Sequence, residues 1–260
     1  MTDTEARADL AARAADAGAR VALASFRDDL AVETKADETD VVTQADRDAQ
    51  RRVIETIHAE YDEPVVGEEE DTRKTLPDEG PAWVVDPIDG TNNFVRGLRI
   101  WGTSVASVVD GEPVAAATVL PALSDTYLAG VERVTLNGDP VRVSSRENPA
   151  AFVVDPILLV DPAETGGTNA LAERFGDFRR FGCAQATLAA VAGGSIEAAI
   201  ATVRLDPWDT VAGAHMIRNA GGVVTDLDGE PWRHDSSSLV ASNGTAHEVV
   251  LAAARQAAGD

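Results

Sequence analysis

The sequence predicts a mixed α/β fold, and three regions of the chain predict it. Two amphipathic helical stretches open the chain, an antiparallel β meander occupies the middle, and the second half alternates short strands with helices. With 260 residues, 44% of them apolar, the chain can bury a sizeable core. No internal repeat or low-complexity linker divides it. It is read as one unit over 1–260, with an N-terminal half (1–146) and a C-terminal half (147–260).

Leu10, Ala14, Ala17, Val21 and Ala24 recur at three- and four-residue spacings and predict a helix over 4–26, with Thr2 and Glu5 spaced as a capping box. Polar residues over 27–39 interrupt the pattern. A second helix is expected over 46–61, with Ala49, Val53, Ile54, Ile57 and Tyr61 on one side. A short strand over 64–67 runs into Glu68-Glu69-Glu70-Asp71. The apolar run Trp83-Val84-Val85 reads as a buried strand ending at Asp86, because Pro87 removes a ladder donor; Asp89 follows, and a helix opens at Gly90-Thr91.

Beyond this stretch, Asp110-Gly111 joins strands over 103–109 and 113–119, and Asn137-Gly138 joins strands over 131–136 and 141–143. The second half reads as strands over 151–154, 157–160, 178–181, 196–201, 223–225 and 239–241. Helices are expected over 168–175, 185–192, 209–220 and 246–258.

Asp and Glu total 44 against 22 Lys and Arg, a formal charge of −22, and the only lysines are Lys35 and Lys74. Such a surface repels nucleic acid and anionic membranes. The acidic excess is spread along the whole chain and reads as adaptation to high salt. Cys183 is the single cysteine, so no intramolecular disulfide forms and a cysteine-based zinc site is disfavoured. The N-terminus is unlike a signal peptide and no apolar run reaches the ~20 residues of a membrane span, so a cytoplasmic protein is expected.

The chemistry concentrates at Asp86-Pro87-Ile88-Asp89-Gly90-Thr91. Two carboxylates at the open end of a strand suit a hard cation such as Mg²⁺, and backbone N–H groups at Gly90-Thr91 suit a phosphate. Elsewhere the acidic positions allow two readings each. Glu68 to Asp71 is a solvated charge run or a ligand loop, and Asp209 caps a helix or faces a cleft. Asp46 caps the second helix or joins the site, and Lys35 is a surface charge or a substrate contact.

Several motifs in order resemble the inositol monophosphatase family, within the superfamily that includes fructose-1,6-bisphosphatases and adenosine 3′,5′-bisphosphate phosphatases. They are Lys35 with Asp40-Val41-Val42-Thr43-Gln44-Ala45-Asp46, then Gly67-Glu68-Glu69, then the run from Trp83 to Phe94. Trp208-Asp209-Thr210-Val211-Ala212-Gly213 and Ala220-Gly221-Gly222 complete the set. The resemblance implies a layered αβαβα sandwich, a homodimer and inhibition by Li⁺. It also implies that Glu68, Asp86, the Ile88 carbonyl, Asp89 and Asp209 ligate two or three Mg²⁺ ions. By the same resemblance Asp89, Gly90, Thr91 and Asp209 hold phosphate and substrate, and Lys35 adds a mobile positive charge near the entrance. Thr91 and Asp46, assisted by Glu68, orient and deprotonate water.

Three departures bear on substrate. Ala201 or Thr202 stands where inositol-phosphate enzymes commonly carry a Glu, while Cys183 and Gln185 replace a small polar residue and an Ala. The expected activity is Mg²⁺-dependent hydrolysis of a small polyol or sugar phosphate, inositol 1-phosphate ahead of fructose 1,6-bisphosphate. Adenosine 3′,5′-bisphosphate ranks third, and a catalytically silent regulatory homologue is the non-enzymatic alternative.

Overall fold

The computed structural model describes residues 2–28, 32–34, 41–69, 72–130, 133–158 and 167–259. Helix α1 (Asp3–Ser25) starts at the expected capping box: Glu5 N–H donates to Thr2 Oγ1 at 3.2 Å and Thr2 N–H donates to the Glu5 carboxylate at 2.7 Å. Its alanine-rich face lies close against α2 (Gln44–His58). Gly18 marks the approach, because a Cβ there would meet Val53 Cγ2 at 2.5 Å. Helix α2 begins two residues earlier than expected, since Thr43 rather than Asp46 is its N-cap. Just upstream, β1 (Val32–Thr34) pairs antiparallel with β2 (Val41–Thr43), where the polar composition predicted no strand. Lys35 and Asp40 lie outside the described residues, as do Glu70 and Asp71.

The first sheet has seven strands in chain order: β3 (Val65–Gly67), β4 (Pro81–Asp89), β5 (Gly102–Val109), β6 (Glu112–Leu120), β7 (Asp125–Ala129), β8 (Val134–Leu136) and β9 (Asp139–Val141). Only β3 and β4 pair in parallel, so the meander is as expected. Asp110 and Gly111 take φ of 52° and 78°, and Asn137 and Gly138 take 53° and 90°, the left-handed pairs that two-residue hairpin turns require. The second hairpin is shorter than expected and pairs with β7, whose short Asp-Thr-Tyr-Leu-Ala sequence gave no clear strand pattern.

Pro87 does not end its strand. β4 continues to Asp89 through a register shift against β5 between Asp86 and Asp89. Such a bulge accommodates a residue without an N–H, and the Pro87 carbonyl it turns aside accepts the Thr103 hydroxyl at 2.7 Å. The bulge re-aims the two aspartates before the chain turns into α3 (Thr91–Val95).

The second sheet comprises β10 (Val153–Leu158), β11 (Asp177–Phe178), β12 (Ala198–Ala201), β13 (Val223–Thr225) and β14 (Leu239–Ser242), in the order β11-β10-β12-β14-β13. A single strand replaces the two expected over 151–160. It passes Pro156 with a register shift and follows a 3₁₀ turn at Pro149–Ala151. Among the described residues four further helices complete the fold: α4 (Gly167–Arg174), α5 (Ala184–Ala192), α6 (Pro207–Asn219) and α7 (His247–Ala258).

Helix α5 is apolar nearly all round, as a helix between two sheets must be. With α6 it fills the central layer. Leu188, Ala189, Met216 and Ile217 share one core with Val84, Ala106 and Val108 of the first sheet and with Ala199 and Ala241 of the second. Helices α4 and α7 cover the far face through Leu171 and Leu251 against Val154, Ile200 and Val240. The layers run α1/α2, first sheet, α5/α6, second sheet, α4/α7, which is the αβαβα sandwich. Among the described residues no helix is long and apolar enough to cross a membrane.

Candidate active site

The end of β4, the start of α3, the start of α5 and the first turn of α6 converge. Asp86, Asp89 and Asp209 each bring a carboxylate oxygen within 4.8 Å of the others. Helix α6 opens at Pro207, two residues earlier than expected, with Asp206 as its N-cap. Asp209 is therefore not the cap; it sits inside the first turn, where its Oδ2 accepts the Asp206 N–H at 3.3 Å. Its other oxygen is left for the cluster.

Asp89 is buried, and three donors from the start of α5 hold it: Cys183 Sγ at 3.1 Å, Ala184 N–H at 3.1 Å and the Gln185 N–H. Gly90 joins it to α3 with φ of 83°, and a Cβ there would lie 3.0 Å from Cys183 Cβ and 3.1 Å from the Gly182 carbonyl. Only glycine fits both the backbone and the gap. Thr91 places its hydroxyl 2.9 Å from the Ile88 carbonyl and 3.3 Å from Asp46 Oδ1. Asp46 thus serves both readings: its Oδ2 caps α2 through Thr43, while Oδ1 faces Thr91.

The electrostatics are those of a cation site. Burial, then the charges of Glu68, Asp89, Asp209 and Asp46, hold the Asp86 carboxyl well above the usual range. Burial and the charges of Asp89, Glu68 and Asp206 do the same to Asp209. Burial raises Asp89 despite its hydrogen bonds from Cys183, Gln185, Ala184 and Gly90. Asp86 is 2% exposed, and its Oδ1 has no hydrogen-bond partner. Among the described residues no Lys, Arg or His forms an ion pair with the trio. An orphaned buried oxygen among convergent hard donors fits a divalent metal ion.

Glu68 stands outside the 4.8 Å grouping, although its charge reaches Asp86 and Asp209. Lys35 lies outside the described residues. Three contributors were given no place in the site from sequence, where Gln185 was noted only as a departure bearing on substrate and Lys74 only as one of two lysines. Lys74 donates to the carbonyls of Gly67, Glu68 and Glu69 and lies 5.5 Å from the Trp208 ring. The Asn93 amide donates to the carbonyls of Ile100 and Phe181, both at 2.7 Å, tying α3 to the segment before α5. Gln185 reaches from α5 to α6. Their partners are backbone groups or distant residues, so no local pattern marks them; the scarcity of lysine and the departure at Gln185 were the available signals.

Five alternating layers with an acidic trio at the end of a strand place the protein among metal-dependent phosphoric monoester hydrolases. The model of the inositol monophosphatase family matches residues 3–259, and the chain belongs to that family. It is 34% identical to the fructose-1,6-bisphosphatase/inositol-1-monophosphatase of Thermotoga maritima over 223 residues, covering 85% of this chain and 84% of that one. It is 33% identical to the histidinol-phosphatase of Chlorobaculum parvum over 252 residues, covering 94% and 95%. The solved structure of a Thermotoga maritima IMPase superposes with a TM-score of 0.88 at 29% identity, over 96% of each chain.

Proposed function

We propose that this chain is an Mg²⁺-dependent phosphomonoesterase acting on a small polyol or sugar phosphate. The convergence of Asp86, Asp89 and Asp209, with the orphaned Asp86 Oδ1, carries the reading. These carboxylates, with the Ile88 carbonyl and Glu68, would hold two or three Mg²⁺ ions. Bound there, Mg²⁺ supplies charge neutralisation at the phosphoryl oxygens and Lewis acidity toward water. Gly90 and Thr91 offer backbone N–H groups to the phosphate. The Thr91 hydroxyl accepts a hydrogen bond from the attacking water while giving its own proton toward Asp46, so Asp46 is the final acceptor. Water oxygen bonds to phosphorus, the ester P–O bond breaks, and the alcohol leaves with a proton taken from solvent.

A cavity of about 650 Å³ adjoins the site through Cys183 and Ala184 and takes the alcohol. Inositol 1-phosphate suits its size, although neither Ala201 nor Thr202 offers a carboxylate to ring hydroxyls. Fructose 1,6-bisphosphate is favoured by Arg96 and Arg180, two guanidiniums lining the same cavity. Histidinol phosphate ranks lower, because among the described residues no Asp or Glu lines the cavity to meet its ammonium group. A homodimer belongs to the same reading and is checked by sedimentation in molar salt. Phosphate release from these three esters and adenosine 3′,5′-bisphosphate, with and without Mg²⁺ at high salt, tests the function; no metal-dependent release from any of them overturns it.

A further inference from the structure

Gln185 opens α5 beside Asp89 and is 1% exposed. Its backbone N–H reaches Asp89 Oδ2, a bond that any residue but proline can make. Its side chain acts separately, crossing to α6. There Nε2 donates to the Trp208 carbonyl at 2.6 Å, and Oε1 accepts the Gly213 N–H at 2.9 Å. These are the only hydrogen bonds between α5 and α6 among the described residues. Trp208 precedes Asp209, and Gly213 lies one helical turn beyond it. One carboxamide therefore clamps the turn that carries Asp209 to the residue that anchors Asp89.

Both partners already lie within α6. In a regular helix the Gly213 N–H points back to the Asp209 carbonyl, and the Trp208 carbonyl faces the N–H four residues on. The carboxamide therefore adds a lateral tie to groups that a regular helix can pair by itself. What it adds is a fixed spacing between α5, whose first N–H groups hold Asp89, and α6, which carries Asp209. Apolar packing of Leu188 against Gly213 cannot supply this alone, because dispersion contacts set distance without fixing the slide of one helix along another. An Ala side chain cannot span the gap.

We infer that Gln185 is a positioning residue for the metal centre: its carboxamide sets the spacing of Asp89 and Asp209, so the carboxylates stand preformed for a divalent cation. This rests on the metal reading of the trio. Carboxamide and orienting groups behind metal ligands typically change affinity ten- to a hundredfold when removed.

Titration calorimetry of Mg²⁺ into metal-free protein tests it with wild type, Gln185→Ala and Gln185→Met, the last keeping side-chain length without either polar atom. Both variants should bind Mg²⁺ about tenfold more weakly, with metal-free melting temperatures within about 3 °C of wild type. Substrate KM at saturating Mg²⁺ should be unchanged. Wild-type affinity in Gln185→Met overturns the role of the carboxamide, whether or not Gln185→Ala folds. Absence of Mg²⁺ binding by wild type overturns the metal reading itself, and the positioning role with it.

Discussion

The Thr91 hydroxyl lies 3.3 Å from Asp46 Oδ1, while Asp46 Oδ2 takes the Thr43 N–H at 2.8 Å and the Thr43 hydroxyl at 2.7 Å. One carboxylate thus caps a helix with one oxygen and faces the site with the other. Capping fixes the aim of Oδ1, since the two oxygens are locked in one plane. Two hydrogen bonds from Thr43 occupy Oδ2, which leaves Oδ1 as the acceptor for a proton passed through Thr91.

Thr91→Val and Asp46→Asn should each lower kcat about a hundredfold or more, the size expected when a positioned base is lost. Substrate KM and Mg²⁺ affinity should move little. Thr91→Ser should recover most of the rate, because it restores the hydroxyl. Steady-state kinetics with Mg²⁺ titrations separate these effects; a Thr91→Val enzyme with wild-type kcat removes Thr91 from the proton path.

Lys74 Nζ donates to the carbonyls of Gly67, Glu68 and Glu69 at 2.9, 2.8 and 2.7 Å, and so gathers the loop that presents Glu68. Lys74→Met should raise the Mg²⁺ concentration for half-maximal activity several-fold. It should destabilise the fold by only about 1 kcal/mol, because the side chain is exposed and water replaces part of what is lost. Lys74→Arg should not rescue it: a planar fork cannot converge on three carbonyls as an ammonium can. Activity against Mg²⁺ concentration and thermal melts measure both effects.

The fold was legible where a residue acts on its neighbours in the chain. The capping box at Thr2 and Glu5 and the Asp110-Gly111 and Asn137-Gly138 turns are local chemistry, and each stands as expected. It was illegible where a long-range partner overrides a local rule. Pro87 ends a strand on its own terms, yet the bulge opposite Thr103 carries β4 past it. Asp209 resembles a helix cap until Asp206-Pro207 proves to open the helix first. The acidic trio was named from its motifs. Gln185 reaches Trp208 and Gly213 and Asn93 reaches Phe181, all distant in sequence, while Lys74 gathers backbone carbonyls of the loop just before it; one-dimensional spacing encodes none of these contacts.

Asp86 crowds its charge against Asp89, Asp209, Glu68 and Asp46, and among the described residues no cation forms an ion pair with it. Asp86→Asn should therefore stabilise the metal-free protein, by roughly 1 kcal/mol, the usual size when a functional strain is relieved. The same variant should lose the stabilisation that Mg²⁺ gives wild type, about 2.7 kcal/mol at a hundred times Kd. Melts with EDTA and with excess Mg²⁺ should show the two proteins exchanging rank. Equal melting temperatures under both conditions would mean that the cluster neither strains the fold nor binds the ion.

His215, on the buried face of α6, is 8% exposed and has its Nε2 3.0 Å from the Asn219 amide. Burial pushes its pKa down from 6.5 to about 4, against a hydrogen bond to Gly130 that favours the charged ring and with the Arg218 charge adding to the depression. The unfolded chain protonates this histidine near its ordinary pKa, so between about pH 6.5 and 4 the unfolded state binds the extra proton. Stability therefore falls as pH falls through that window, and the loss is complete below about pH 4. A depression of this size corresponds to roughly 3 kcal/mol. Burial lowers His247 as well, which adds to the same slope. His215→Gln, which cannot take up a proton, should flatten the pH dependence of urea unfolding between pH 6.5 and 4 and leave the difference between pH 7 and 8 unchanged. An unaltered slope in that variant would assign the acid sensitivity to other groups and place the His215 ring in solvent contact.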